Sequence, residues 1–233
     1  EVTGVTGNTA IPLREPGEKE PKIWEIYVDV GASSDKEVAE LGLRVGHVGV
    51  YCDGPMLMNE SKLVCRALDN RLSGFVLSEI ARKLCKLKKP LAWNVMLVNA
   101  VQEEVGCIGA GMITHRLRPD AAICIDVTHA TDSPGLDKGK FGDIKLGGGP
   151  AVIHGTANHP NLVARLEIVA DKNKIPLQHE AAGRRTGTDT DSIYVSRNGV
   201  ASALVSLPLR YMHSPVETAA LTDVENTIKL LLE

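Results

Sequence analysis

The rhythm of apolar and polar positions changes near residue 65. Before that point, Ile23 to Val30 alternates apolar and polar residues, the period of a half-buried strand. Ser34 followed three residues later by Glu37 is a capping-box signature, and it predicts a short helix closed at Gly42. Leu43 to Tyr51 reads as a further strand, interrupted at Gly46 and Gly49, where bulges or close backbone approach are expected. Short strands, one short helix and many glycines predict a small β-rich accessory unit over residues 1–65, incomplete at its start. It carries no converging polar set, so its expected job is to cover a surface or to pair with another chain.

From Cys65 onward, strands and helices alternate. Leu72, Phe75, Val76, Ile80, Leu84 and Leu87 recur at helical spacing, with Pro90 as the stop. An apolar strand, Trp93–Val101, follows, then a helix near Ala110–Leu117 and a strand Ala121–Val127. A long glycine-rich loop runs through Gly147-Gly148-Gly149-Pro150, and Pro160 suits the first position of a helix reaching about Lys172. A short strand Pro176–His179, the turn Gly187-Thr188-Asp189, a strand Val200–Leu207 and a helix opened by Thr222-x-x-Glu225 complete the run. The alternation predicts an α/β domain over residues 66–233, with a mostly parallel sheet flanked by helices.

Composition narrows the function classes. A net charge of -3 and 3% aromatic residues give neither the basic footprint nor the stacking platforms of a nucleic-acid binder. No apolar run approaches the roughly 20 residues that span a bilayer. The cysteines Cys52, Cys65, Cys85, Cys107 and Cys124 contain no C-x-x-C pair and lie in or beside apolar segments. They are expected to be reduced, buried thiols of a cytoplasmic protein, neither disulfides nor zinc thiolates nor nucleophiles. The 233 residues open at Glu1 without an initiator methionine, as the middle of a longer protein would.

In sheets of this kind, functional residues gather at the carboxyl ends of the strands. A carboxylate or a histidine stands at each such point: Asp69 before the first helix, Glu103 and Glu104 after Trp93–Val101, Asp126 at the end of Ala121–Val127, and His213 past the last strand. Taken singly, each has a plainer role. Asp69 could be a helix N-cap, Glu103-Glu104 a solvated strand end, Asp126 a loop cap and His213 a satisfied polar residue. Together, carboxylate oxygens and an imidazole suit zinc, cobalt or manganese, and a carboxylate such as Asp69 can bridge two cations roughly 3.5–4 Å apart.

Several segments in combination resemble the M42 family of metallo-aminopeptidases, the tetrahedral (TET) or deblocking type. They are Gly4-Val5-Thr6-Gly7-Asn8-Thr9-Ala10, Tyr27 to Ser34, Ala67-Leu68-Asp69-Asn70-Arg71, Gln102-Glu103-Glu104-Val105-Gly106, Asp126-Val127-Thr128-His129 and Arg210 to Glu217. The resemblance implies two divalent metal ions, zinc or cobalt. Asp69 would bridge them, Glu104 and His213 would complete one site, Asp126 would bind the other ion, and Glu103 would be the general base. It also implies that His129, Gly148, Thr188 and Asp189 face the substrate, with Asp191 nearby. The expected activity is removal of N-terminal residues from short unfolded peptides. The accessory unit would then build a homo-oligomer of dimers, a hollow dodecamer.

One departure stands out. The family's other metal also takes a histidine from a His-x-Asp segment ahead of the accessory domain, and here the one histidine before Asp69 is His47. The N-terminal part of the catalytic domain is therefore expected to be missing from this chain. Competing readings are another metallohydrolase, such as an N-acyl deacylase or a glycosidase, and a truncated, non-catalytic assembly module.

Overall fold

The computed structural model describes residues 1–7 and 21–233, so Asn8, Thr9 and Ala10 of the first family segment lie outside the described residues. The chain divides into two compact units, Glu1–Val50 and Tyr51–Glu233.

In the first unit, β1 (Val5–Gly7) pairs antiparallel with β2 (Tyr27–Asp29), Val5 opposite Asp29. The strand expected from Ile23 starts later than its pattern suggests. Ile23–Glu25 is a 3-10 turn, because the Glu25 carboxylate folds back to accept the Lys22 N–H at 2.8 Å. Helix α1 (Asp35–Glu40) is capped as expected: Ser34 Oγ accepts the Glu37 N–H at 3.3 Å, and the Glu37 carboxylate accepts from Ser33 N–H at 2.7 Å. Gly42, at φ +79°, closes it through its N–H to Ala39 O. The strand expected over Leu43–Tyr51 is not formed: Gly46 turns the chain at φ +94°, and Val45 and Val48 face solvent.

The second unit is built on β8 (Ala201–Arg210), whose interior residues are all buried. Its alternate residues serve opposite faces, Ala203 and Val205 on one and Leu204 on the other. A strand covered on both faces reads as a continuous apolar run, and Ala203 to Leu209 does so apart from Ser206 and Pro208. Around it lie β5 (Ala121–His129), β6 (Ala151–Gly155), β7 (Gln178–Ala182) and β9 (Thr218–Ala220). The sheet is completed by β3 (Met56–Met58) and β4 (Lys62–Val64), in the order β3-β4-β9-β8-β6-β7 with β5 also paired to β8. The α/β class is as expected, with a mixed sheet: β5–β8 and β6–β7 are parallel, the other pairs antiparallel. Residues 51–65, read from sequence as part of the accessory unit, fall with the second unit, because β4 pairs with β9.

Helix α2 (Leu68–Leu84) buries Leu72, Val76 and Ile80 against Val127, Leu207 and Leu209 of the sheet and Val224 and Ile228 of α7 (Leu221–Leu232). Each such side chain, fully buried, contributes roughly 1.5–3 kcal/mol. Phe75 and Leu87, expected on the same face, are exposed. On the same face of the sheet, next to α7, α5 (Pro160–Asn173) packs Val163, Leu166 and Ala170 over Val152 and Val205. Two shorter helices, α3 (Ile108–Leu117) and α6 (Thr190–Ile193), complete the surroundings of the site, and the four-residue α4 (Lys138–Phe141) lies in the long loop.

Further expectations are corrected. Trp93–Val101 forms no strand among the described residues; Val95 to Val98 stay 36–50% exposed, with no neighbour to complete a ladder. Strand β6 was missed, being a short apolar run behind the glycine loop. Thr222 does not cap α7, which starts from Ala220 without a side-chain cap; Asp223 instead turns its carboxylate to the N–H groups of Gly147 and Gly149, both at 2.8 Å. All five cysteines are free, but Cys52 and Cys85 are exposed where burial was expected. Among the described residues, no helix is long and apolar enough to cross a membrane.

Candidate metal centre

The site gathers where α2 begins and where β5 and β8 end. The first turn of α2 is irregular at Asp69 and Asn70, whose φ/ψ values are not helical. Asp69 is thereby turned toward the loop after β8, where His213 sits at φ +61°. His213 Nε2 lies 3.0 Å from Asp69 Oδ2 and 3.3 Å from Glu104 Oε2. Three elements distant in sequence therefore present two carboxylate oxygens and one imidazole nitrogen to a common point.

Glu103 and Glu104 lie on a turn rather than on a strand. Gly106 and Cys107 N–H groups both donate to Glu103 O at 2.9 Å, and α3 follows directly. The turn divides the pair: Glu104 reaches His213 from the solvent side, while Glu103 is half-buried and accepts from the Cys107 thiol at 3.5 Å. Asp126, the first of the buried run Asp126–Thr128 of β5, is only 4% exposed. Its Oδ1 accepts from Asn70 Nδ2 at 2.8 Å and from Val127 N–H at 2.9 Å. Asp126 is thus tied to the residue next to Asp69, outside the Asp69–Glu104–His213 contact itself.

The electrostatics are those of crowded carboxylates. Burial pushes the Asp126 carboxyl up to about 8, against the Val127 N–H, and the charges of Asp69, Glu103 and Asp189 add to the rise. Burial, then the Glu104 charge, raises Asp69 despite the opposing His213. Burial also raises Glu103 despite the Cys107 hydrogen bond, with Glu104, Asp189 and Asp69 adding their charges. Asp189 rises through burial, and its Oδ1 is buried without a hydrogen-bond partner. A carboxylate oxygen orphaned among other carboxylates is a costly arrangement for a protein alone, and a divalent cation is the natural partner that would offset it. The donor set of oxygens with one imidazole fits zinc, cobalt or manganese.

Comparison with known proteins decides the family. The model of the M42 glutamyl aminopeptidase family matches residues 1–230. The chain belongs to this family. It is 40% identical to a lysyl aminopeptidase of Pyrococcus furiosus over 219 residues, which make up 93% of this chain and 61% of that protein. It superposes on an aminopeptidase of the archaeon Desulfurococcus kamchatkensis with a TM-score of 0.89 at 34% identity, covering 98% of this chain and 63% of that one. A TET peptidase of Pyrococcus horikoshii, described as able to assemble into a tetrahedron or a large octahedral shell, gives a TM-score of 0.78 at 27% identity, covering 99% of this chain and 67% of that one. The chain thus spans less than two thirds of the length of its P. furiosus relative.

Other residues that the M42 resemblance singled out are dispersed. Thr188 is buried, and its hydroxyl hydrogen-bonds with those of Thr186 and Thr190. The neighbouring Asp191 accepts from Thr186 and Gly187 N–H groups, which shapes the turn that carries Asp189. His129 ends β5 and is exposed. Gly148 sits in the loop braced by Asp223, where a Cβ would press on the Gln178 side chain. Two structural partners were not singled out from sequence. Glu217, 2% exposed, accepts from the N–H groups of both Asp69 and His213, and Asn70 positions Asp126. Both lie inside the quoted family segments, yet neither position carries a local pattern that marks a bracing role.

Proposed function

We propose that this chain carries the larger part of a metal-dependent aminopeptidase that removes N-terminal residues from short, unfolded peptides. The observation that supports the reading most is the meeting of Asp69, Glu104 and His213 beside the half-buried Glu103. In this reading Asp69 would be a ligand shared by two divalent ions, zinc or cobalt. Glu104 and His213 would help hold one ion and Asp126 the other. Bound there, the ions would supply Lewis-acid polarisation of the peptide carbonyl and a water of lowered pKa.

The chain's own residues do the rest. Glu103 takes the proton of the attacking water and returns it to the departing amine, a task helped by the burial that raises its affinity for a proton. Asn70 and Glu217 hold Asp126, Asp69 and His213 in place. Asp189, Thr188, Gly148 and His129 belong to the substrate side. The TET neighbours, one described as a dodecamer and one as a tetrahedron or octahedral shell, support a homo-oligomeric working form. In this reading it is a hollow dodecamer in the cytoplasm that admits only chains able to enter.

The test is Glu103→Gln. It should abolish turnover of N-terminal amino-acid amides while the metal content is unchanged; near-normal activity would remove Glu103 as the base.

A further inference from the structure

Away from the Asp69 centre, two histidines and a glutamate meet on the face of the sheet covered by α5. Strands β6 and β7 run parallel with Val152 opposite His179. His154, two residues after Val152, shares its face, so the two imidazoles lie diagonally on the same side of neighbouring strands. Helix α5 crosses that face with Val163 and Leu166 against Val152. Glu167, four residues after Val163, lies on the same flank of the helix and reaches the two rings.

We propose that His154, Glu167 and His179 form a second, separate site for a zinc-like transition-metal ion. His154 Nε2 and His179 Nδ1 are 3.0 Å apart, and each lies 3.6 Å from Glu167 Oε1. A tetrahedral ion with bonds of about 2.0–2.1 Å sets its donors about 3.3–3.4 Å apart. The three observed separations straddle that value, so closing on an ion takes shifts of a few tenths of an ångström. Two imidazole nitrogens with one carboxylate oxygen select zinc, cobalt, nickel or copper(II) over calcium or magnesium. His154 and Glu167 also line a surface depression with Gly155, Asn158, Pro160 and Val163, which leaves room beside them for water or a small ligand. The bound ion clips α5 to the sheet's edge strand β7, the outermost in the order. None of the three residues serves the Asp69 centre, so the proposal stands independently of the peptidase reading.

Stripped protein titrated with zinc against a chromophoric chelator tests it. Wild type should bind one more equivalent than His154→Ala or His179→Ala, and Glu167→Gln should hold that equivalent at least tenfold more weakly. Equal stoichiometry and affinity in all four proteins would overturn the proposal and leave a plain hydrogen-bonded histidine pair. The second measurement needs no variant. Zinc should protect His154 and His179 of the wild type from diethyl pyrocarbonate, as read by mass spectrometry, and unchanged modification of both would equally overturn it.

Discussion

The carboxylate of Glu217 accepts the backbone N–H of His213 at 2.7 Å, four residues earlier in the chain. Its other oxygen accepts the N–H of Asp69 at 3.1 Å, so a single buried acid fixes the backbone under two proposed ligands. Glu217→Gln keeps the shape but replaces one acceptor by a donor that faces an N–H. It should weaken metal retention or activity by roughly 10–100-fold, the usual cost of losing a partner that orients a ligand. Competition for zinc with a chelator checks this, and wild-type affinity would remove Glu217 from that role.

Metal removal separates the peptidase reading from a glycosidase, which usually needs two carboxylates and no ion. Dialysis against a strong chelator should abolish hydrolysis of amino-acid amides, and zinc or cobalt should restore it. Activity that survives chelation would favour the metal-free alternative.

Arg210 forks onto Asp132, with Nε at 2.8 Å from Oδ1 and Nη2 at 2.7 Å from Oδ2, and so pins the end of β8 to the loop after β5. Burial pushes the Asp132 carboxyl up, but the Arg210 hydrogen bonds and charge, with the Leu146 N–H, prevail and hold it below the usual range. A lowered folded value means that the stabilisation is complete above the unfolded pKa of about 3.9 and is lost as pH falls through the folded one. Asp132→Asn should therefore cost roughly 1–3 kcal/mol at pH 7, and less at pH 3. Urea unfolding at the two pH values is the measurement, and a pH-independent difference would contradict the assignment.

Gly149 sits at φ +89°, and a Cβ there would run into the Pro176 carbonyl, whereas Gly135 at φ +85° has open space around it. Gly149→Ala should cost about 1–2 kcal/mol for a left-handed alanine and about 1–3 more for overpacking. Gly135→Ala should show only the first part. Equal losses in denaturant unfolding would mean that the loop yields.

Much of the second unit could be read from periodicity. Leu72, Val76 and Ile80 mark α2, and Ala121 to Val127 mark β5, because in both the apolar spacing is itself the structural property. Trp93–Val101 has the same apolar look and forms no strand, since a strand is a relation between two backbones and its pattern says nothing of whether the second is present. Ala151–Gly155 failed in the opposite sense: five residues are too few to distinguish a buried strand from a loop edge, and β7 and β8 supply the pairing. At the site, the carboxylates and His213 stand out by residue type at strand ends. The bracing by Glu217 and Asn70 depends on folding across the whole domain and leaves no local trace. His154, Glu167 and His179 likewise meet only through the β6–β7 register.

The Asp69–Glu217 hydrogen bond spans 148 positions of sequence. During synthesis, Asp69 leaves the ribosome long before the segment that carries His213 and Glu217, so the three proposed ligands cannot meet until that later segment has emerged. On the proposed ligand set, metal capture would follow the closing of β8 into the sheet, and an occupied Asp69–His213 centre would report that the two ends of this long loop have met.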